Sequence, residues 1–315
     1  MIDMLLDIGQ TSARARLVHR GDVVGEVDDL PGFVSGSDVC SVIGTLIGVA
    51  ADRLGAAKID RVGAGCSGLF GAVPALGPLA AALGEAHSTR LVRVADDGVT
   101  AFLGALDGSP GAMVAAGTGI VALAYGPKGA ARADGVGAML GDNGSGWWIG
   151  RAGIIAALSA HDGRAGGSAS LLAAAASRYG PVELMPTVIA TSANPIAATA
   201  AFAKDVADTA RAGDTVAQSI WHEAAGYIAD ALTAVADRAG LGEDVTWCTT
   251  GRVALSRDLL EPVLSDQMIG HFPAARWAAP VASPLEGVQH LLELDSLDDL
   301  GHMAAEHRLE GLEPR

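Results

Sequence analysis

Apolar and polar positions along this chain lay down one pattern twice. Met4-Leu5-Leu6-Asp7-Ile8 is a short apolar run broken by a single carboxylate, and Ala13-Arg14-Ala15-Arg16-Leu17-Val18 then alternates with the period of two that marks a half-buried strand. With the run that follows, this predicts a meander of strands over 2–8, 12–19 and 22–27, a helix over 37–54, and strands over 61–66 and 90–95. Residues 71–88, rich in Ala, Gly and Pro, read as a loop and short helix. From Gly111 the pattern recurs, with strands over 112–116, 119–125 and 128–133 and a helix over 145–160. Residues 162–168 form a flexible surface link, and helices dominate to 239. The strongest covers 216–239, where Ile220, Ala224, Tyr227, Ile228, Ala231, Leu232 and Val235 keep a helical stripe. A strand over 245–249 feeds Gly251, and the tail from 285 is helical in pattern.

The strands of both halves meet at polar, glycine-bearing tips. Gly9-Gln10-Thr11-Ser12 joins the first two strands, and Ala116-Gly117-Thr118-Gly119 joins the corresponding pair in the second half. Backbone N–H groups and hydroxyls at such tips make concave nests for a polyphosphate without any helix N-terminus. Residues 134–151 contain six glycines, with Asp142 in their midst. Glycine costs roughly 0.5–1 kcal/mol relative to alanine in regular structure, so this density implies a backbone that turns sharply and approaches something closely. Asp142 and Ser145 are equally suited to capping the helix that follows. The same ambiguity attends Asp96 and Asp97, which stand before a helix starting near Gly98.

Taken in order, these segments resemble the sugar-kinase, actin and heat-shock-chaperone superfamily, and within it the BadF/BadG-type ATPases that include N-acetylglucosamine kinases. The resemblance covers most of the chain. It implies an α/β protein of two ribonuclease-H-like lobes, the actin-like ATPase fold, closing on a central cleft. The first lobe would span 1–108 joined by a helical tail, 295–315, and the larger second lobe 109–294. By the same resemblance Asp7, Gly9, Thr11, Gly117, Thr118, Gly119 and Gly251 bind ATP, and Asp7 holds Mg²⁺ through water. Asp97 becomes the catalytic base and a sugar ligand, and Gly135, Val136, Gly137 and Asp142 bind sugar. The implied activity is an ATP-dependent kinase acting on a hydroxyl of N-acetylglucosamine, glucosamine or a related hexose. The chain departs from the family pattern in several places: Gln10 replaces a glycine, Ile120 a serine, Val136 a tryptophan and Asn143 a common glutamate, the family's sugar-binding asparagine has no counterpart in residues 31–36, and its paired glycines near adenosine become Thr250-Gly251-Arg252.

Composition narrows the alternatives. Half the residues are hydrophobic, which argues against disorder, and 315 residues suit two domains of ordinary size. A net charge of −15 disfavours a nucleic-acid surface, so a phosphate site must rely on backbone donors and metal. The N-terminal run lacks the basic region of a signal peptide, and no apolar run is long enough to span a membrane, so a cytoplasmic protein is expected. Its expected partner is the small-molecule sugar, with a homodimer as the candidate assembly. Gly117-Thr-Gly-Ile-Val-Ala122 fits a loose dinucleotide pattern, but it opens a strand where that motif must open a helix. Two further readings remain open. One is an activator ATPase of the 2-hydroxyacyl-CoA dehydratase type, although Cys40, Cys66 and Cys248 lack cluster spacing. The other is a sugar-binding regulator without catalysis.

Overall fold

The computed structural model describes residues 1–10, 12–34 and 36–309. Thr11 and the last six residues of the expected tail therefore lie outside the described residues. In chain order the strands are β1 (Ile2–Ile8), β2 (Ser12–His19), β3 (Asp22–Pro31), β4 (Arg61–Cys66), β5 (Leu91–Asp96), β6 (Gly111–Ala116), β7 (Ile120–Gly126), β8 (Gly129–Asp134), β9 (Thr246–Thr250), β10 (Arg276–Trp277) and β11 (Ala304–Arg308). Helices α1 (Val39–Leu54), α2 (Gly77–His87) and α3 (Asp97–Ala105) belong to the first half. Then come α4 (Gly146–His161), α5 (Ala169–Tyr179), α6 (Met185–Ala190), α7 (Pro195–Ala200), α8 (Ala203–Arg211), α9 (Thr215–Ala239), α10 (Arg257–His271) and α11 (Pro284–Glu293).

The strands form two sheets, ordered β11-β5-β4-β1-β2-β3 and β10-β9-β6-β7-β8. Setting aside the added edge strand β11, each sheet has the same order: a meander of three strands whose first member also pairs with a fourth, which pairs with a fifth. In the first sheet β1, β4 and β5 are parallel neighbours, with Ile8 opposite Cys66 and Cys66 opposite Asp96. In the second, β6, β9 and β10 are parallel. The chain divides into two compact units, residues 1–110, 125–130 and 279–315 in one and 111–124 and 131–278 in the other.

The first unit is built around β1. Successive side chains of a strand point to opposite faces. Met4, Leu6 and Ile8 accordingly join Ile43, Leu46 and Ile47 of α1 in one core, while Leu5 joins Leu285, Val288 and Leu292 of α11 on the other face. α1 starts at Asp38, whose carboxylate accepts from the Ser41 N–H, and stops at Gly55 in the left-handed region (φ 65°). In the second unit Val114 and Ile120 pack with Ile220, Ala224, Ile228, Leu232 and Val235 of α9, the buried part of the expected stripe. Tyr227 and Ala231 are only half-buried.

Two features of the tail differ from expectation. α11 packs its apolar face on β1 and β5 of the first sheet, so the first unit reclaims the chain from residue 279, earlier than 295. Among the described residues beyond α11 there is no α-helix: after a short 3₁₀ segment, β11 pairs antiparallel with β5. Among the described residues no helix is long and apolar enough to cross a membrane.

Candidate active site

The carboxyl ends of parallel strands are where α/β sheets commonly hold ligands, and in the first unit three such ends carry the candidate residues. β1 contributes Asp7, β4 is followed at once by Ser67, and β5 runs into α3 through Asp96 and Asp97. The Ser67 N–H donates to the Ile8 carbonyl at 2.8 Å, which ties the β4 exit to the β1 exit. Gly9 N–H donates to the Ser12 carbonyl at 3.0 Å, and the Gly9 carbonyl accepts from Phe33 N–H at 2.8 Å, so both backbone groups of Gly9 are satisfied. Asp7 pairs across to Arg14 of β2 at 2.7 Å.

The two adjacent aspartates divide the work that the sequence leaves ambiguous. Asp96, only 1% exposed, is the N-cap of α3: its carboxylate accepts from Gly98 N–H at 3.2 Å and from Gly71 N–H at 2.9 Å. Asp97 is the first residue of the helix, and its Oδ2 accepts a hydrogen bond from the Ser67 hydroxyl. Burial, the neighbouring Asp96 charge and, more weakly, Asp7 push the Asp97 carboxyl up to about 6, with the Ser67 hydroxyl opposing them. The thiol of Cys66 is pushed up to about 12 by burial and by the charges of Asp97 and Asp96, so it stays protonated.

The second unit organises the other residues around the β6–β7 tip. Gly117 N–H donates to the Gly119 carbonyl at 2.8 Å, and the first N–H groups of α4 donate back to the tip, Gly146 to the Gly117 carbonyl and Trp147 to the Thr118 carbonyl. Ser145, not Asp142, caps α4, accepting from Trp148 N–H at 3.2 Å. Asp142 instead reaches the tip from below. Its Oδ1 accepts from Ile120 N–H at 2.9 Å, and a Cβ on Gly119 would lie 2.8 Å from that same oxygen, so a side chain there would have to displace the Asp142 carboxylate. Asp142 is 5% exposed and sits in the left-handed region (φ 64°), its own N–H donating to both Asp134 oxygens at 3.0 and 3.1 Å. Burial raises the Asp142 carboxyl; the Ile120 N–H opposes this and the Asp134 charge adds to it.

The remaining expected residues fall in the same unit. Gly135 (φ 70°) and Gly137 (φ 82°) shape a turn in which the Gly137 carbonyl accepts from Leu140 and Gly141, while Val136 is half-exposed and Met139 almost fully so. Gly251 (φ 87°) follows β9 and backs onto β6, where a Cβ would stand 2.4 Å from the Ala116 carbonyl oxygen. The sequence-derived residues thus form two groups, Asp7, Gly9 and Asp97 in the first unit and Gly117–Gly119, Gly135–Gly137, Asp142 and Gly251 in the second. Sequence reasoning missed Ser67, Arg14 and the bracing role of Asp134. A serine before glycine at the end of the expected strand over 61–66 is the available signal for the first.

The fold and these motifs agree with what the chain is similar to. A candidate N-acetylglucosamine kinase from Chromobacterium violaceum is 25% identical, with a TM-score of 0.71 over 92% of this chain and 98% of that one. A second candidate N-acetylglucosamine kinase, from Porphyromonas gingivalis, is 21% identical with a TM-score of 0.68, over 92% of this chain and 98% of that one. A ROK family glucokinase from Streptomyces griseus, solved with glucose and AMPPNP, shares the fold at 18% identity and a TM-score of 0.58, over 93% of this chain and 98% of that one. A search of curated proteins returned no match. The sequence profile that does match runs from residue 6 in β1 to residue 278 just past β10, taking in both glycine tips and both aspartate sites, and it places the chain in the BadF/BadG/BcrA/BcrD ATPase family.

Proposed function

We propose that the protein is an ATP-dependent sugar kinase, transferring the γ-phosphate of ATP to a hydroxyl of an amino sugar, N-acetylglucosamine or glucosamine, or of a related hexose. The observation that carries this reading is Asp97: a carboxylate at the end of a parallel strand, relieved of helix capping by Asp96 and raised to about 6. Phosphoryl transfer needs in-line positioning, neutralised phosphate charge and an acceptor for the hydroxyl proton. Asp97 takes the proton. The N–H groups and hydroxyl of the 117–119 tip, with Gly9, Thr11 and Gly251, meet the nucleotide, and Gly135–Gly137 and Asp142 meet the sugar.

Mg²⁺ fits the donors present. Among the described residues no group of three or more His, Cys, Asp or Glu side chains forms a dedicated cage. Mg²⁺ that keeps its waters and arrives on ATP phosphates needs only one or two carboxylates, and Asp7 supplies one. Bound there, it would neutralise phosphate charge; Arg14 already offers a cation at the same carboxylate. The activator-ATPase alternative is weakened by the placement of the cysteines: Cys66 and Cys248 are both buried and belong to different units, which does not suit a cluster shared between two subunits. The same reading makes the enzyme cytoplasmic, with a homodimer as its candidate assembly.

Release of ADP from Mg-ATP across a panel of amino sugars and hexoses tests the proposal; no sugar-dependent release with any of them would overturn it. Two further results are expected. The value kcat/KM should climb with pH through about 6 and level off above it, because protonated Asp97 accepts nothing; a profile flat from pH 5 to 8 would remove Asp97 as base. Glucosamine should compete well with N-acetylglucosamine, because Val136 offers no ring to stack on the sugar. A preference above about 10³-fold for the N-acetyl form, roughly 4 kcal/mol, would show that another group performs that recognition.

A further inference from the structure

The segment between β4 and α2 is held more firmly than an exposed loop needs to be. It begins at Ser67, 7% exposed, whose N–H is bonded to the Ile8 carbonyl and whose hydroxyl donates to Asp97. Next comes Gly68 in the left-handed region (φ 81°), backed by the buried Phe33 ring, which a Cβ there would meet at 2.5 Å. Phe70, a bulky residue, also sits at positive φ (51°). The segment ends at Gly71, whose N–H donates to Asp96. Neighbouring aspartates therefore grip both ends of 67–71, Asp97 through Ser67 and Asp96 through Gly71. Backbone conformations of this kind cost of order 1–3 kcal/mol and persist where surrounding structure enforces them, often at functional sites.

We propose that Ser67 is a positioning residue for Asp97, fixing Oδ2 of the carboxylate so that Oδ1 is left to accept the proton of the sugar hydroxyl. The inference rests on the kinase reading above, in which Asp97 is the base. An aspartate has two χ angles, and a base that is free to rotate loses the near-attack geometry on which proton transfer depends. The groups that face this carboxylate explain why a hydroxyl serves here. Asp96 precedes it on the same turn, Asp7 approaches from β1, and the Cys66 thiol of β4 is protonated, while Arg14 of β2 is bonded to Asp7. A serine hydroxyl donates to the ionised carboxylate without adding another charge. That bond also favours the ionised form against burial and like charge.

Ser67→Ala tests the idea with readouts that a purely structural role would not move. The acidic limb of kcat/KM should shift to higher pH by about one unit, the size expected for loss of one hydrogen bond to a charged group. At pH 8, where the base is ionised in either protein, kcat should fall about 10-fold from lost orientation, with KM for Mg-ATP unchanged. Ser67→Cys, of nearly the same volume but a weak donor, should move the limb in the same direction and guards against a folding defect in the alanine variant. Ser67→Thr, which keeps a hydroxyl, should restore both limb and kcat. An unmoved limb and normal kcat in Ser67→Ala, with Asp97→Asn inactive, would overturn the inference and leave the kinase reading standing. Absence of sugar-dependent turnover in the unaltered protein would overturn both.

Discussion

Asp97→Asn is expected to lower kcat by at least about 10²-fold while leaving the fold and nucleotide affinity intact. The structure sharpens this expectation. Helix α3 is capped by Asp96, so an amide at position 97 removes no cap, and asparagine can still accept the hydrogen bond from Ser67. The substitution also replaces a carboxylate whose ionisation is opposed by burial with a neutral group of the same shape, so no loss of stability should accompany it. What disappears is the proton acceptor. Turnover with the preferred sugar, thermal unfolding and a nucleotide titration check the three parts separately. Near-normal kcat would sink the assignment, and a rise in KM for sugar with kcat unchanged would make Asp97 a sugar ligand that takes no proton.

Much of this arrangement was legible because it is local. β1 and the β6–β7 tip announce themselves through short apolar runs ending in glycine and hydroxyl residues, and their repetition at a similar place in each half gives the two matching sheets. Residues 134–151 were equally plain as a close-approach segment, since glycine density needs no partner to be noticed. What the sequence hid depends on register between strands distant in the chain. Ser67 meets Asp97 only because β4 lies parallel to β5 and both end at the same edge. Asp142 looks like a cap or a sugar ligand in one dimension; its bond to Ile120 N–H appears only when the 134–145 turn folds under the tip. β11 was missed for a different reason: Ala-Ala-Glu-His-Arg has no β-branched residue and no apolar alternation, so nothing in its own composition favours a strand.

That strand is held by charge. Arg93 of β5 is 1% exposed and stands opposite Glu306 of β11, donating to its Oε2 from Nε at 2.7 Å, while Nη1 donates to the Leu291 and Leu294 carbonyls at 2.8 and 2.6 Å. One guanidinium thus binds the end of α11 and the edge strand to the first sheet. Arg93 is buried but Glu306 is exposed, so the pair is only half removed from water, and losing one partner costs less than the figure for a fully buried pair, about 3–5 kcal/mol. Glu306→Gln should cost about 1 kcal/mol, because Glu306 faces solvent and the two carbonyls still solvate Arg93. Replacing both partners, Arg93→Met with Glu306→Leu, should recover most of that loss. Burial works against the Glu306 carboxylate, yet hydrogen bonds from Arg308 and Arg93 hold it below the ordinary glutamate value. A depressed folded-state pKa means that this stabilisation is complete above the unfolded value, about 4.3, and is lost as pH falls through the folded one. The unaltered protein should therefore lose stability below about pH 5 by an increment that Glu306→Gln lacks. All five tryptophans belong to the second unit, so fluorescence would follow the wrong part of the chain; amide hydrogen exchange in β5 reports the relevant one. Exchange in β5 of Glu306→Gln within about 0.5 kcal/mol of the unaltered protein would show that backbone pairing alone secures β11 and that Arg93 is satisfied by its carbonyls.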